Sequence, residues 1–167
     1  MKKVWDERAV MATADLPMVG KTKTQNAADK RRFEAMSEIG CIPCMIGGWD
    51  GVPATTQHVT EAGRRLNDEH QQTYRSCQWH HLGKFDDPVR SIRAATKIYG
   101  PSFERNKRAF AERYGTERQL IQIQNALVRM YFRAHEKGEY LPAPELTRLT
   151  NGLYREIVLD RPPSMGW

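Results

Sequence analysis

The sequence predicts an α+β fold in which helices surround a small two-stranded core. β-branched residues concentrate in one short stretch, residues 54–60, as expected of a strand. After Pro88, apolar residues recur at the three- and four-residue spacing of amphipathic helices. All three cysteines and four of the five histidines lie between Cys41 and His81. A metal site in this region would hold the two strands together.

Length and composition predict one domain with appended arms. The chain has 167 residues, of which 40% are apolar, and this permits a modest core. Its net charge of +6 favours a polyanionic partner. The first residues lack the apolar run of a signal peptide, and no apolar stretch is long enough to span a membrane. We therefore expect a cytoplasmic protein with no membrane partner, whose reduced cysteines bind metal rather than form disulfides.

The first segment, residues 1–24, mixes charged and small residues without an apolar period, which predicts a basic flexible arm. Lys21 and Lys23 in this arm are candidate DNA-binding residues because their ammonium groups can contact phosphates. Residues 25–38 then predict a helix that Gly40 ends, with Arg32 on its outward basic face.

Two strands followed by a helix are predicted next. His58 lies on the first strand, and the chain returns as a second strand over residues 72–75. The helix begins near Gln78, so His81 lies in its first turn. A strand histidine and a helix-start histidine in this order predict a small zinc-stabilised ββα-metal core with surrounding helices.

The chain after Pro88 predicts helices that pack around this core. The third of them begins with Thr116 and Gln119 in a capping-box pattern, and Arg161 opens a tail without a motif. The apolar stripes of these helices are typical of core or partner-helix packing. The predicted helices cover residues 91–99, 102–114, 116–136 and 142–157.

The spacing Cys41-x2-Cys44 and Cys77-x2-His80 predicts a tetrahedral Cys3His zinc site. Because the binding free energy of such zinc is comparable to the stability of a whole domain, this zinc would be structural. His80 and His81 compete for the fourth ligand position. We favour His80, since a Cys-x2-His spacing then replaces the more usual Cys-x2-Cys and leaves His81 for a second site.

Three other histidines, His58, His70 and His81, predict a cleft for phosphodiester hydrolysis. One-metal hydrolysis needs a base that activates water and a metal on the leaving oxygen. A strand histidine that faces a helix-start histidine supplies both. His58 is therefore the candidate general base, and His81 is the candidate ligand of a catalytic metal.

The combination of Cys41-x2-Cys44, Gln57-His58 and Cys77-x2-His80-His81 resembles the zinc-containing branch of the HNH (His-Me finger) nucleases. Within that branch the chain is most similar to the Ref-type recombination enhancement, RecA-dependent nucleases of phages and bacteria. The segments that carry this resemblance read IGCIPC, CQWHHLG and GPSFERNKRAFAERYGTERQL. The resemblance implies DNA cleavage that depends on Mg²⁺ or Mn²⁺ and is directed to DNA bearing a RecA filament or a displaced loop.

The resemblance also implies roles for the site residues. His58 matches the general base, His81 matches a catalytic-metal ligand, and His70 matches a residue that orients groups at the cleft. The residue before the base is usually Asp or His and ligates the catalytic metal, but here it is Gln57, a neutral and weaker ligand. Either metal affinity falls, or His70 or Asp68 completes the coordination, or the site is impaired.

Arg64 and Arg65 lie in the connection between the two strands and are candidate DNA-binding residues beside the cleft. We expect residues 25–136 to form the zinc-containing HNH nuclease domain and residues 137–167 a C-terminal helical extension and tail. Two alternatives stay open: a non-catalytic zinc-stapled DNA-binding accessory module, and a structure-specific junction nuclease that acts without RecA.

Overall fold

The computed structural model describes residues 24–61, 64–65, 69–85 and 91–160, with the backbone alone for residues 60–61 and 64–65. Lys21, Lys23, Asp68 and the predicted C-terminal tail lie outside the described residues. The elements in chain order are α1 (Ala27–Ile39), α2 (Ile42–Ile46), β1 (Thr55–His58), β2 (Thr60–Glu61), β3 (Arg64–Arg65), β4 (Thr73–Ser76), α3 (Gln78–Leu82), α4 (Ile92–Tyr99), α5 (Lys107–Tyr114), α6 (Glu117–Glu136), α7 (Ala143–Tyr154) and a π-helical segment, Arg155–Leu159.

The architecture is mixed α+β, mostly helical, with a small two-stranded sheet, as the composition of elements predicted. β1 pairs antiparallel with β4, and the register places His58 opposite Thr73. α3 follows β4 directly, so the predicted order of strand, strand and helix is present. The connection between the two strands was expected to be a loop, but it contains the short antiparallel pair β2–β3, in which Thr60 lies opposite Arg65.

The two faces of the β1–β4 sheet contact different helices because successive strand residues point to opposite sides. On one face, Arg75 donates from Nη1 to Thr56 Oγ1 over 3.1 Å and from Nη2 to the carbonyl of Phe33 on α1 over 3.5 Å. On the other face, Gln57 reaches Glu117 at the start of α6, with 3.3 Å between Gln57 Nε2 and Glu117 Oε1. The sheet is therefore held between α1 and α6.

The main core lies between the sheet, α1, α2, α6 and α7. α7 contributes Leu146, and the π-helical segment contributes Ile157, to the same apolar cluster as α1 and α6. Asn151 on α7 also donates from Nδ2 to the carbonyl of Met45 on α2 over 2.9 Å. The C-terminal helix thus packs on the element that carries Cys44. The largest fully buried side chains are Tyr74, Tyr114, Phe110, Met36, Ile39, Ile42, Met45, Leu120, Ile123, Leu127, His80 and Gln124.

Side-chain caps set the helix boundaries. The capping box predicted from Thr116 and Gln119 is confirmed at the start of α6. α5 begins at Lys107, so the predicted start at residue 102 is wrong. Asn106 accepts a hydrogen bond from Ala109 N over 2.9 Å and, with its extended backbone, ends the preceding turn.

The prediction that Arg32 faces outward is wrong, because its side chain is only 5% exposed. It donates from Nε to the carbonyl of His70 over 3.2 Å and from Nη2 to the carbonyl of Thr73 over 3.1 Å. Burial lowers the pKa of Arg32 to about 10, so it stays charged at neutral pH. This arginine fixes the backbone that leads from His70 into β4.

Candidate metal centre and histidine cleft

Cys41, Cys44, Cys77 and His80 form one buried cluster in which all donor atoms lie within 4.8 Å of one another. Cys44 Sγ is 3.7 Å from Cys77 Sγ, and His80 Nδ1 is 3.2 Å from Cys77 Sγ and 3.3 Å from Cys44 Sγ. Four ligands at ordinary zinc bond lengths lie about 3.6–3.8 Å apart in a tetrahedron. The four donor atoms therefore fit a zinc ion, and His80 rather than His81 is the fourth donor.

Two short helices place these donors. Cys41 and Cys77 each precede a helix as its N-cap, so the residue three positions later lies one turn along the same helix. Gly40 allows the first of these turns to lie against the backbone of Val52, where Cys41 N donates to the Val52 carbonyl over 2.9 Å. Gly40 has φ +88°, and a Cβ there would lie 2.8 Å from Val52 O. Glycine is required at this position because the backbone approaches so closely.

A second set of contacts orients the His80 ring. Its Nδ1 faces the cluster, and its Nε2–H donates to the carbonyl of Tyr99 over 3.0 Å, with Tyr114 Oη at 3.1 Å. Tyr114 also donates to the Tyr99 carbonyl over 3.0 Å. A metal-bound histidine usually donates its other ring N–H in this way, which fixes its tautomer. Phe103 N donates to the His80 carbonyl over 2.9 Å and ties the segment before α5 to α3.

The pKa values of the three cysteine thiols shift in opposite directions. Hydrogen bonds from Cys41 and Cys44 hold the pKa of the Cys77 thiol well below its usual range. Burial raises the pKa of the Cys41 and Cys44 thiols well above theirs. A divalent cation would bind all three cysteines as thiolates, because metal ligation requires deprotonated sulfur.

His81 points away from the cluster and toward the β1–β4 sheet. Its Nδ1 is 3.5 Å from Thr55 Oγ1 on β1. Burial lowers the pKa of His81; the charges of Glu104 and Cys77 oppose that shift, and His58 adds to it. The pKa of His81 is therefore sensitive to the charges of both Glu104 and His58.

Glu104 is a candidate site residue that the sequence analysis missed. It lies in the turn before α5, whose neighbours on both sides are tied to α3: Phe103 contacts the His80 carbonyl, and Arg105 donates from Nε to the Gly83 carbonyl over 3.4 Å. Burial lowers the pKa of His81, and the charge of Glu104 in this turn acts to raise it. Its sequence signal was weak because residues 102–114 were predicted as one helix, whereas Glu104 lies in a turn before α5.

His58 and His70 lie together on the opposite side of β1 from Gln57. Their ring centroids are 6.3 Å apart, and the His70 ring also contacts Phe33 edge-on at 5.7 Å. His70 Nε2 lies 4.0 Å from a carboxylate oxygen of Glu69. His58 is half-buried and His70 is buried. The structure thus brings the predicted base and the predicted orienting histidine next to each other.

Gln57 is 2% exposed, and its amide donates to Glu117 rather than facing His58. Burial raises the pKa of Glu117, and the hydrogen bond from Gln57 opposes that shift. The role of Gln57 as a ligand of a catalytic metal stays a prediction. The alternation of side chains along β1 accounts for its orientation, since Gln57 and His58 are consecutive strand residues.

Arg64 and Arg65 form β3, and their register opposite Glu61 and Thr60 keeps the short hairpin adjacent to the end of β1 that carries His58. Their DNA-binding role stays a prediction. The corresponding prediction for Lys21 and Lys23 falls outside the described residues.

The fold and site define a mixed α+β protein in which two short helices present a buried Cys3His cluster that can hold a metal ion, and in which the rings of His58 and His70 lie side by side. A family model described as recombination enhancement, RecA-dependent nuclease matches residues 25–129, more than half of the chain. The chain therefore belongs to this family of nucleases. No curated protein and no solved structure matches the chain. Among the helices of the described part of the chain, none has the length and apolarity that crossing a bilayer requires.

Proposed function

We propose that this protein is an HNH-type, metal-dependent endonuclease that cuts DNA in recombination intermediates in cooperation with a RecA filament. The observation that carries the proposal is the division of the neighbouring histidines: His80 joins the buried cysteine cluster, whereas His81 lies against Thr55 at the start of β1, the strand that also carries His58. Membership of a RecA-dependent nuclease family supports the choice of DNA as substrate and of RecA as partner.

The cysteine cluster would hold zinc and would act as a structural centre. Its donors are all buried, and the protein itself supplies four of them, so the coordination sphere is closed to substrate. This centre fixes α3 against α2 and thereby sets the position of His81. The zinc therefore supports the cleft without taking part in the chemistry.

A second divalent metal, Mg²⁺ or Mn²⁺, would bind at His81. Such a metal polarises the phosphate and stabilises the leaving oxygen. The residues present fit a cation of this type, because the charge of Glu104 acts on His81 and a carboxylate oxygen suits a hard cation, whereas Gln57 faces Glu117. In this scheme Glu104 supplies the anionic oxygen that the sequence lacks at position 57.

His58 would accept the proton of the attacking water. A histidine has its ordinary pKa near neutrality, so its neutral imidazole is an effective base at physiological pH. His70, held by its carbonyl bond to Arg32, would act as a positioning residue for the His58 ring. Arg64, Arg65, Lys21 and Lys23 would contact phosphates on either side of the cut.

The test is cleavage by the zinc-loaded full-length protein of single-stranded and loop-bearing DNA, with and without RecA, in Mg²⁺ or Mn²⁺. We expect His58→Ala to lower the cleavage rate about 10²–10⁴-fold while DNA binding and zinc content are retained. His135→Ala is a matched control, because His135 is an exposed residue near the end of α6. Wild-type protein that binds DNA but cleaves it with none of these metals would contradict the proposal, and RecA-independent cleavage would favour a junction nuclease.

A non-catalytic, zinc-stapled DNA-binding module is the second candidate function. One observation favours it: the residue before the proposed base is an amide that the protein itself engages through Glu117. Glu104→Gln distinguishes the candidates, since it should weaken Mn²⁺ binding and cleavage in a nuclease. In a binding module the same change should leave DNA affinity and metal content unaltered.

A further inference from the structure

A second concave site lies next to the metal cluster, on the α4 side. It has a volume of about 250 Å³ and is open to solvent. Its walls come from three places in the chain: the loop after α2 with Trp49, the end of α4 with Lys97 and Tyr99, and the end of α5 with Arg113. None of these residues belongs to the histidine cleft.

Two aromatic rings form the wall of this site. Trp49 and Tyr99 have ring centroids 5.9 Å apart with their planes tilted by 52°. Both residues are partly exposed and line the concavity. Aromatic faces of this kind accept flat, polarisable ligands by stacking.

The metal cluster holds the backbone of both aromatic residues. Trp49 N donates to the carbonyl of Cys44 over 2.9 Å, and the carbonyl of Tyr99 accepts from His80 Nε2 over 3.0 Å. Each contact involves a residue of the Cys3His cluster itself. The backbone at both aromatic residues is therefore tied to the cluster, and a fixed backbone lowers the entropic cost of binding a ligand there.

Cations flank the rings. Lys97 and Arg113 are exposed, and both line the concavity. No carboxylate is among the described residues that line it. An aromatic wall with two adjacent cations and no acidic group matches a ligand that has a flat ring and a phosphate.

We propose that this site, which we call the Trp49 pocket, binds a nucleobase and its adjacent phosphate in single-stranded DNA. The proposal rests on the proposed function in that DNA is the substrate, and it adds where an unpaired strand is gripped. A base within a duplex presents only its edges and cannot stack on a protein ring, so the pocket selects unpaired strands. A displaced loop contains such a strand.

The test is the affinity of zinc-loaded, full-length protein for a fluorescent single-stranded oligonucleotide and for the matching duplex, without divalent catalytic metal. Trp49→Leu keeps an apolar side chain but removes the stacking face. Loss of one stacked base corresponds to about 1–3 kcal/mol, so the single-strand dissociation constant should rise about 5- to 150-fold while duplex affinity changes less than twofold.

Tyr140→Leu is the matched control, because Tyr140 is an aromatic residue with 78% exposure outside the pocket, and it should change neither affinity. Lys97→Gln, an exposed substitution, should reduce the salt dependence of single-strand binding by roughly one phosphate contact. Competition by a free deoxynucleotide shows whether the base with its phosphate is sufficient.

An unchanged single-strand affinity in Trp49→Leu, or an equal loss with duplex, in protein that retains its zinc would overturn the proposal. This readout is independent of cleavage. If no cleavage is found but Trp49→Leu selectively loses single-strand binding, the Trp49 pocket stands and the proposed nuclease activity fails. If cleavage occurs and the variant binds normally, the reverse holds.

Discussion

The Cys3His cluster and the proposed histidine cleft are built from the same short stretch of chain but differ in how complete they are. The cluster has four buried donors within 4.8 Å of one another, all supplied by the protein. In the cleft, the His58 and His70 ring centroids are 6.3 Å apart, and His81 is held from a different element. A closed site stabilises a fold, whereas a site with open positions leaves room for a metal, water and a phosphate.

The adjacent residues His80 and His81 have different surroundings. His80 points into the cluster and is oriented by Tyr99 and Tyr114, while His81 points to Thr55. Because α3 is a single short helix, a change in its position moves both histidines. Stability and the proposed activity are thus linked through α3, and substitutions of each histidine alone separate the two.

Removal of the metal has the largest expected effect. Zinc in small cysteine–histidine sites contributes on the order of 10–16 kcal/mol, comparable to the whole stability of a domain. A strong chelator should therefore unfold the protein rather than only inhibit it, as measured by circular dichroism together with zinc release. Readdition of zinc should restore the signal. A folded protein with less than about half an equivalent of zinc would contradict a structural role for the cluster.

Replacing each of the two neighbouring histidines by alanine should separate stability from the proposed activity. His80→Ala removes a buried ligand, so zinc content and melting temperature should both fall. His81→Ala leaves the cluster complete, so zinc content should stay near one equivalent while cleavage falls at least about 100-fold. Metal analysis, thermal melting and a nicking assay on both variants are the measurements. Loss of zinc in His81→Ala, with zinc retained in His80→Ala, would reverse the assignment.

Arg32→Met should lower the stability by a smaller amount, although Arg32 lies outside the proposed cleft. The carbonyls of His70 and Thr73 would lose their buried donor, at a cost of about 2–3 kcal/mol in the free energy of unfolding. Arg31→Met is the control, because Arg31 is the preceding residue of α1 and is exposed. Urea denaturation of the zinc-loaded variants gives both values.

The same Arg32 variant tests how far the cleft depends on its support. If the segment before β4 positions His70, cleavage by Arg32→Met should fall by more than the loss of folded protein explains, with zinc content unchanged. Equal cleavage per folded molecule would show that the His70 backbone needs no such support.

Local pattern was enough to predict the metal cluster and most of the helices. Two residues spaced by three along a helix lie one turn apart, so Cys-x2-Cys and Cys-x2-His spacings already contain the ligand geometry. A helix boundary could be predicted where the sequence shows a side-chain cap, as at Thr116. The prediction failed at residue 102, because the cap that decides the start of α5 is Asn106, and an apolar period does not reveal it.

The burial of Arg32 could not be predicted, because its partners are carbonyls on a segment that lies far away in the sequence. The same reason explains why Glu104 and Glu117 were missed as neighbours of His81 and Gln57. The turn that carries Glu104 is tied to α3, and the start of α6, which carries Glu117, reaches the sheet through Gln57; both contacts form only after the chain has folded back.

The sequence by itself determined which residues can hold a metal and which family the chain resembles, since ligand type and spacing are local properties. Only the tertiary structure decided that His80 rather than His81 completes the cluster, that Gln57 turns toward Glu117, and that Trp49 meets Tyr99 beside two cations. These outcomes depend on the direction in which each side chain leaves its strand, helix or loop. That direction is fixed when the elements pack against one another.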